Sequence, residues 1–66
     1  MNNTYNYLDV VCIKTRENFR LPIVGERYII DRLSIWIDKC GNSYGYVYDK
    51  YFNRIGEMKL SLFSCI

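Results

Sequence analysis

Alternating apolar and polar positions run through most of the chain, and this pattern predicts β-strands rather than helices. The first such segment, YLDVVCIKT, begins at Tyr7 and is rich in β-branched residues. Its central apolar residues fall on both faces of the predicted strand: Val10, Val11, Cys12 and Ile13. We expect both faces of this strand to be at least partly covered. It follows a polar lead at residues 1–6 and opens one domain that spans residues 7–66.

A long connection follows in RENFRLPIVGERY, where polar residues, Pro22 and Gly25 interrupt the alternation. Pro22 has no backbone N–H to donate to a sheet, so this piece is predicted to be a loop or an edge. Three of its apolar residues can fold back onto the core: Leu21, Ile23 and Val24.

The run RYIIDRLSIWID predicts one or two strands between Tyr28 and Asp38. Its odd-numbered apolar residues share one side: Ile29, Leu33, Ile35 and Ile37. Asp31 breaks that side. A bend or bulge near Asp31 and Arg32 would resolve the conflict by changing which face points inward.

A hairpin is predicted around Gly41 and Asn42, because both residues tolerate positive φ and they separate two β-prone runs. Its two arms are residues 33–39 and 43–48. In the last third of the chain, positions 48, 51, 52, 55 and 59 form a helical stripe, but Gly56 and the charge of Lys59 weaken a continuous helix. The alternation fits better one short helical turn near residues 49–53, a bend at Gly56 and a final strand over residues 58–65.

Three tyrosines in the second hairpin arm, Tyr44, Tyr46 and Tyr48, point to one face, and Gly45 and Val47 point to the other. If Val47 faces the core, the three phenol rings stand outside in a row. In the reverse arrangement they cover the interior, and a bulge at Gly45 would give a mixture of the two.

Trp36 adds an aromatic ring to this row. It faces away from Ile35 and Ile37, which are the better core candidates, and hairpin pairing brings it within a residue or two of opposite Tyr46 or Tyr48. Monomers seldom expose a contiguous aromatic patch without a use, so we interpret it as an interface. The alternative is that the chain's own tail or the loop at residues 20–24 covers it.

Length and composition narrow the class of protein. Sixty-six residues make one small domain, and the net charge of +2, from nine Lys and Arg against seven Asp and Glu, is too small to make nucleic acid the default partner. The polar start lacks the features of a secretion signal, and no apolar run approaches the ~20 residues that span a bilayer, so a cytoplasmic protein is expected. Cys12, Cys40 and Cys65 are odd in number and widely spaced, which favours reduced thiols.

Candidate catalytic chemistry is sparse. The chain has no His, its carboxylates are scattered singly, and its four glycines are spaced as turn residues rather than as a phosphate loop. Cys40 beside Lys39 is the best placed thiol, but one lysine activates a thiol only weakly. We expect no enzymatic activity, no cofactor and no metal site.

The order of these segments resembles the small Src-homology-like β-barrel proteins common in phages and mobile elements of low-GC bacteria. The resemblance rests on short motifs at residues 10–13, 21–28 and 46–52 and covers residues 8–55. The spacing from Leu21 to Gly25 is one residue longer than the family pattern, and the tail GEMKLSLFSCI extends past the usual end. That tail is expected either to close the barrel or to pair with a second copy of the chain. The predicted fold is an all-β, five-stranded Src-homology-like barrel with one short helical turn near residues 49–53.

The resemblance implies a binding protein without catalysis that acts on a host protein, for example one of a defence system. The predicted contact residues are the aromatic patch and two cations at its rim: Trp36, Tyr44, Tyr46, Tyr48, Arg32 and Lys50. Tyr51 and Phe52 are expected to plug one end of the barrel. An alternative is a protein that binds single-stranded nucleic acid, with bases on the same tyrosines and phosphates on four arginines: Arg16, Arg20, Arg27 and Arg54. A homodimer contact is compatible with either function.

Overall fold

A computed structural model describes residues 6–66 of the chain. These residues form six strands: β1 (Tyr7–Cys12), β2 (Arg27–Asp31), β3 (Trp36–Ile37), β4 (Ser43–Asp49), β5 (Arg54–Lys59) and β6 (Phe63–Cys65). All pairings are antiparallel, and the sheet curls into a half-barrel in the order β5-β4-β2-β1-β6, with β3 also paired to β4. The predicted class, an all-β small barrel, is confirmed. Residues 1–5, most of the predicted polar lead, lie outside the described part.

One face of the curled sheet holds a single apolar core. Strand pairing places Val10 opposite Tyr28 and Leu8 opposite Ile30, so alternate residues of β1 and β2 point inward together. The buried apolar side chains come from β1, β2, β4, β5 and the C-terminal segment: Val10, Cys12, Tyr28, Ile30, Val47, Met58, Leu62 and Phe63. These buried side chains form the apolar core that stabilises the sheet of this short chain.

The described residues form six strands rather than the predicted five, because β5 and β6 replace the single final strand predicted over residues 58–65. A 3-10 helix, Arg32–Ser34, divides the run between Tyr28 and Asp38 into β2 and β3. The Asp31 side chain accepts a hydrogen bond from the Leu33 backbone N–H at 3.0 Å and caps this helix. The bend predicted near Asp31 and Arg32 is therefore confirmed. Its consequence is that the predicted first hairpin arm, residues 33–39, contributes only the two residues of β3.

The bend also changes which residues face the core. Tyr28 and Ile30, not Ile29, point inward from β2. Of the odd-numbered set, Ile35 packs against the core, whereas Leu33 and Ile37 are 80% and 66% exposed.

The predicted final strand over residues 58–65 is also divided. A second 3-10 helix, Leu60–Leu62, separates β5 from β6 and buries Leu62. β6 then pairs with β1, which places Phe63 opposite Cys12. The tail thus completes the sheet of its own chain, one of the two arrangements expected from the sequence.

The helical turn predicted near residues 49–53 is wrong, because the chain forms a hydrogen-bonded hairpin turn there. The Asp49 backbone N–H donates to the Asn53 carbonyl at 2.9 Å, and Phe52 adopts a φ of 65°, which a right-handed helix cannot contain. A register shift in the β4–β5 pairing and a φ of 142° at Gly56 mark the predicted bend at that residue.

The long connection at residues 13–26 is tied to the core at its second half. Pro22 is buried and Leu21 packs against the core, and the Tyr28 hydroxyl accepts a hydrogen bond from the Ile23 backbone N–H at 2.9 Å. Ile23 and Val24 are about half exposed, so only Leu21 of the three apolar residues packs on the core as predicted.

Candidate functional site

The tyrosine row of β4 lies on the outer face of the sheet. Val47 is completely buried and Gly45 is buried beside it, so Tyr44, Tyr46 and Tyr48 point the opposite way. Each ring is half-buried against its neighbours on the outer face. Of the arrangements that the sequence left open, the structure adopts the one with the row outside.

Trp36 joins this row from the adjacent strand. It pairs with Tyr44, two residues from Tyr46, and its indole stacks on the Tyr44 ring with centroids 4.8 Å apart and planes 24° apart. Offset stacking of two rings is worth about 0.5–1.5 kcal/mol beyond the area that it buries. Trp36, Tyr44, Tyr46 and Tyr48 therefore form one surface, which we call the aromatic face.

Two side chains from β5 hold rings of the aromatic face in place. The indole Nε1–H of Trp36 donates a hydrogen bond to the Glu57 carboxylate at 2.8 Å. The Arg54 guanidinium lies over the Tyr46 ring, 4.3 Å from its centroid. Both partners come from β5, the strand on the far side of β4 from β3, so β5 holds these rings from one edge of the aromatic face.

The turn that precedes β4 holds Tyr44. Its hydroxyl donates to the Asp38 carboxylate at 3.0 Å, and this hydrogen bond raises the pKa of Tyr44. The pKa of Asp38 is lowered, first by the Asn42 backbone N–H that its carboxylate accepts and also by the Tyr44 hydroxyl. Both groups therefore keep their ordinary charge states near neutral pH, and the hydrogen bond persists there.

The aromatic surface continues beyond Tyr48 through two residues that the sequence did not assign to it. Phe52 lies 6.1 Å from the Tyr48 ring centroid and 5.3 Å from that of Tyr7, which it meets edge to face. Tyr51 and Phe52 are 74% and 54% exposed, so the expectation that they plug the barrel is wrong. Phe52 adopts a positive φ of 65° in the turn that joins β4 to β5.

The two cations predicted at the rim lie on different elements. Arg32 begins the 3-10 helix between β2 and β3. Lys50 follows β4 directly, and its Nζ lies 5.4 Å from the centroid of the Tyr51 ring. Arg32 therefore precedes the strand that carries Trp36, whereas Lys50 follows the end of β4 that carries Tyr48. The two cations do not form one cluster.

The four arginines of the nucleic-acid alternative are dispersed. Arg16 and Arg20 lie in the connection at residues 13–26, where Arg16 donates to the Leu21 carbonyl at 3.1 Å and covers the Phe19 ring at 4.0 Å. Arg27 begins β2, and Arg54 begins β5. Of the four, Arg54 is the one in contact with a ring of the aromatic face.

Other kinds of site have less support. All three cysteines are free thiols, with Cys12 buried and Cys40 and Cys65 exposed. Within residues 6–66, no three metal-ligating side chains come together. In the same range, no helix has both the length and the apolar character needed to cross a bilayer.

Glu57, Phe52 and Tyr7 were not predicted as parts of this surface. Glu57 lies on β5 and Phe52 in the turn before it, and the positions of both depend on the β4–β5 hairpin, which was not predicted from the sequence. Tyr7 could have been found, because it begins the predicted first strand and alternates with the buried Val10 and Cys12.

The fold and the surface together define a small all-β protein whose outer sheet face presents a preorganised row of aromatic side chains. Comparison with models of known families, with curated proteins and with solved structures found no match to this chain.

Proposed function

We propose that this protein is a non-enzymatic binding module that binds another protein through the aromatic face. The observation that carries the proposal is the contiguous outer row, in which Trp36 stacks on Tyr44 and is 47% exposed. The C-terminal segment pairs with β1 and does not cover this row. Arg32 and Lys50 would extend the contact at two different edges.

The way the rings are held supports a binding role. Trp and Tyr are over-represented among the residues that dominate binding free energies, and a ring already fixed in one orientation loses less entropy on binding. Trp36 is fixed by Tyr44 and Glu57, and Tyr46 by Arg54. A partner could therefore bury these side chains without first ordering them.

We further propose that the partner is a protein of a host cell and that the chain comes from a phage or mobile element. This part rests on the resemblance of three short segments to the small barrel proteins of such elements. Binding would occupy the host protein's surface and so inhibit or redirect it, and a defence protein is one target of this class. The cytoplasm of the host is the compartment that would keep three free thiols reduced.

Single-stranded nucleic acid is the second candidate, and the position of Arg54 on the Tyr46 ring favours it. A base would stack on an open ring face, and a neighbouring arginine would contact its phosphate. Against this, Arg54 itself covers one face of Tyr46, and Trp36 covers one face of Tyr44. Protein binding, which uses ring edges and hydroxyls as well as faces, fits this packing better.

Affinity purification from the native host, followed by mass spectrometry, tests the proposal. We expect tagged wild-type protein to retain one partner in stoichiometric amount, and Trp36→Ala to lose it. The matched control is Phe19→Ala, which removes another exposed ring from a different part of the surface and should retain the partner. Equal retention by all three proteins would contradict the assignment of the aromatic face.

A salt titration separates the two candidates. Fluorescence anisotropy with a labelled single-stranded DNA or RNA oligonucleotide should show no binding at low salt if the partner is a protein. Binding that weakens steeply toward physiological salt would instead favour nucleic acid, because phosphate contacts release counterions.

A further inference from the structure

A gap separates β2 from β3 in their pairing with β4. Ile30 pairs with Val47 and Trp36 pairs with Tyr44, so the chain advances by six residues from β2 to β3 while β4 covers only three. The three-residue 3-10 helix between the two strands takes up the difference. Tyr46, the central ring of the tyrosine row, lies in this gap, where neither β2 nor β3 provides a paired residue.

The Ser34 hydroxyl bridges the gap. It accepts a hydrogen bond from the Tyr46 backbone N–H at 2.8 Å and donates one to the Asp31 carbonyl at 2.6 Å. If the register of β2 continued by one more pair, Asp31 would lie opposite Tyr46. The hydroxyl therefore joins two backbone groups of the interrupted ladder, since it can act as an acceptor toward one and a donor toward the other.

Polar contacts attach the 3-10 helix to its surroundings. None of its three residues is buried, and Leu33 is 80% exposed. Asp31 caps its first turn by accepting the Leu33 N–H, and Ser34 joins its last residue to β4. Removing the Ser34 hydroxyl would therefore take away a contact to the tyrosine row without removing a side chain from the core.

The backbone of Tyr46 decides where its ring stands. The ring lies between Tyr44 and Tyr48 in the row, and the Arg54 guanidinium lies 4.3 Å from its centroid. Because a side chain leaves a strand in a direction set by the pleat of the backbone, fixing the Tyr46 N–H fixes the direction of the ring. On the other side of β4, the pairing with β5 shifts register directly after Val47, so β5 gives this part of β4 an irregular frame.

We propose that Ser34 is a positioning residue of the aromatic face. Its hydroxyl holds the Tyr46 backbone so that the ring stands between its two neighbours and against Arg54. This inference rests on the proposed function, since it assigns a supporting residue to the same surface. Ser34 acts through Tyr46 and needs no contact with the partner.

Nuclear magnetic resonance on the purified, isotope-labelled chain tests this inference without a partner. Ser34→Ala removes the hydroxyl, and Ser34→Thr retains one. The matched control is Ser61→Ala, because Ser61 is an exposed serine in the 3-10 helix Leu60–Leu62. Two signals report the position of Tyr46: the exchange rate of its amide hydrogen, and the upfield shift that its ring current gives to the Arg54 side-chain protons.

In Ser34→Ala the Tyr46 amide should exchange about tenfold faster than in wild type, because it has lost its acceptor. The upfield shift at Arg54 should become smaller, because the ring moves relative to the guanidinium. The signal of the Trp36 indole N–H, which Glu57 holds, should stay in place. Ser34→Thr and Ser61→Ala should match wild type in both reporter signals.

An unchanged Tyr46 exchange rate together with an unchanged Arg54 shift in Ser34→Ala overturns the inference and leaves the proposed function standing. Equal acceleration of every protected amide also overturns it, because Ser34 would then stabilise the whole fold rather than position one ring. If Ser34→Thr fails to restore both signals, the role assigned to the hydroxyl is wrong. A displaced ring in Ser34→Ala, combined with retention of the partner by Tyr46→Ala, upholds the inference and excludes the proposed function.

A second variant covers the case in which Ser34→Ala does not fold. Ser34→Cys places a thiol, a weaker donor and acceptor, at the same position. The Tyr46 exchange rate and the Arg54 shift should change in the same directions as expected for Ser34→Ala, by smaller amounts. Wild-type values of both signals in Ser34→Cys would then overturn the inference.

Discussion

Gly45 lets β4 lie flat on the core, and this close approach directs the tyrosine row outward. A Cβ at position 45 would meet side-chain atoms of Ile30 at 3.2 Å and Ile35 at 3.3 Å. With Val47 completely buried on the same side, the inner edge of β4 has no room for a large ring. The alternation around Gly45 could be read from the sequence, but the space beneath it depends on residues ten or more positions away.

Gly45→Ala should therefore lower the free energy of unfolding by about 1–3 kcal/mol, because the added methyl group overpacks the core. Chemical denaturation measures this change. Val24→Ala, at a position about half exposed, is the control and should stay within about 0.5 kcal/mol of wild type. A Gly45→Ala protein as stable as wild type would mean that β4 does not pack as described.

Glu57 fixes the orientation of Trp36 through the hydrogen bond to its indole nitrogen. Glu57→Ala should leave the fold intact and lower the steady-state fluorescence anisotropy of the indole, because the ring gains freedom. Glu57→Gln keeps an acceptor oxygen and should resemble wild type. Unchanged anisotropy in Glu57→Ala would show that stacking on Tyr44 alone holds the ring.

At the scale of elements, the two hairpins that contain β4 turn at segments with the same pattern, Asp-Lys-x-x-Asn, at residues 38–42 and 49–53. In both turns the Asp backbone N–H donates to the Asn carbonyl at 2.9 Å, which fixes the register of the hairpin. Asp38 and Asp49 have lowered pKa values, chiefly because each accepts a backbone N–H from the Asn that ends its turn. A carboxyl group whose pKa is lower in the folded state stabilises the fold above its unfolded pKa. That stability is lost as the pH falls through the folded pKa.

The unfolding temperature of wild type should therefore fall as the pH is lowered from about 5 toward 3, across the reference value of 3.8 and below it. The double variant Asp38→Asn with Asp49→Asn keeps side-chain acceptors that do not titrate, so its unfolding temperature should fall less over the same range. Differential scanning fluorimetry at several pH values measures both slopes. Equal slopes would contradict the role of these two carboxylates.

The sequence predicted the first strand, the first hairpin turn and the bend at Asp31, because each depends on residues close together in the chain. It did not predict the second hairpin, since Phe52 stands where a glycine would have marked the turn. The repeated Asp-Lys-x-x-Asn pattern was the available signal, and it is local. The inward direction of Tyr28 and Ile30 could not be predicted, because both faces of that run are apolar and only pairing with β1 decides between them.

For the candidate site, the alternation of Tyr44, Tyr46 and Tyr48 and the nearby Trp36 were predicted correctly as one surface. Glu57 was missed because its contact with Trp36 spans 21 residues and crosses from β5 to β3. Such contacts depend on the order of strands in the sheet, which no local pattern encodes.

At the scale of the whole molecule, β3, β5 and β6 each pair with one neighbouring strand of the half-barrel. Arg54, Glu57 and Lys59 on β5, together with the irregular pairing near Gly56, are features that discourage pairing with another chain. We therefore expect light scattering to give the monomer mass at both low and high protein concentration. A dimer mass that Trp36→Ala converts to monomer would instead assign the aromatic face to self-association.

The central claim is that the aromatic face binds a partner and is dispensable for folding, and Tyr46→Ala tests both parts in one preparation. Tyr46 and Phe19 are matched, because each ring carries an arginine guanidinium at about 4 Å from its centroid. Thermal unfolding and partner retention are measured together for Tyr46→Ala, Phe19→Ala and wild type. We predict that all three proteins unfold cooperatively and that only Tyr46→Ala loses the partner. A Tyr46→Ala protein that is unfolded, or one that is folded and still retains the partner, would contradict the claim.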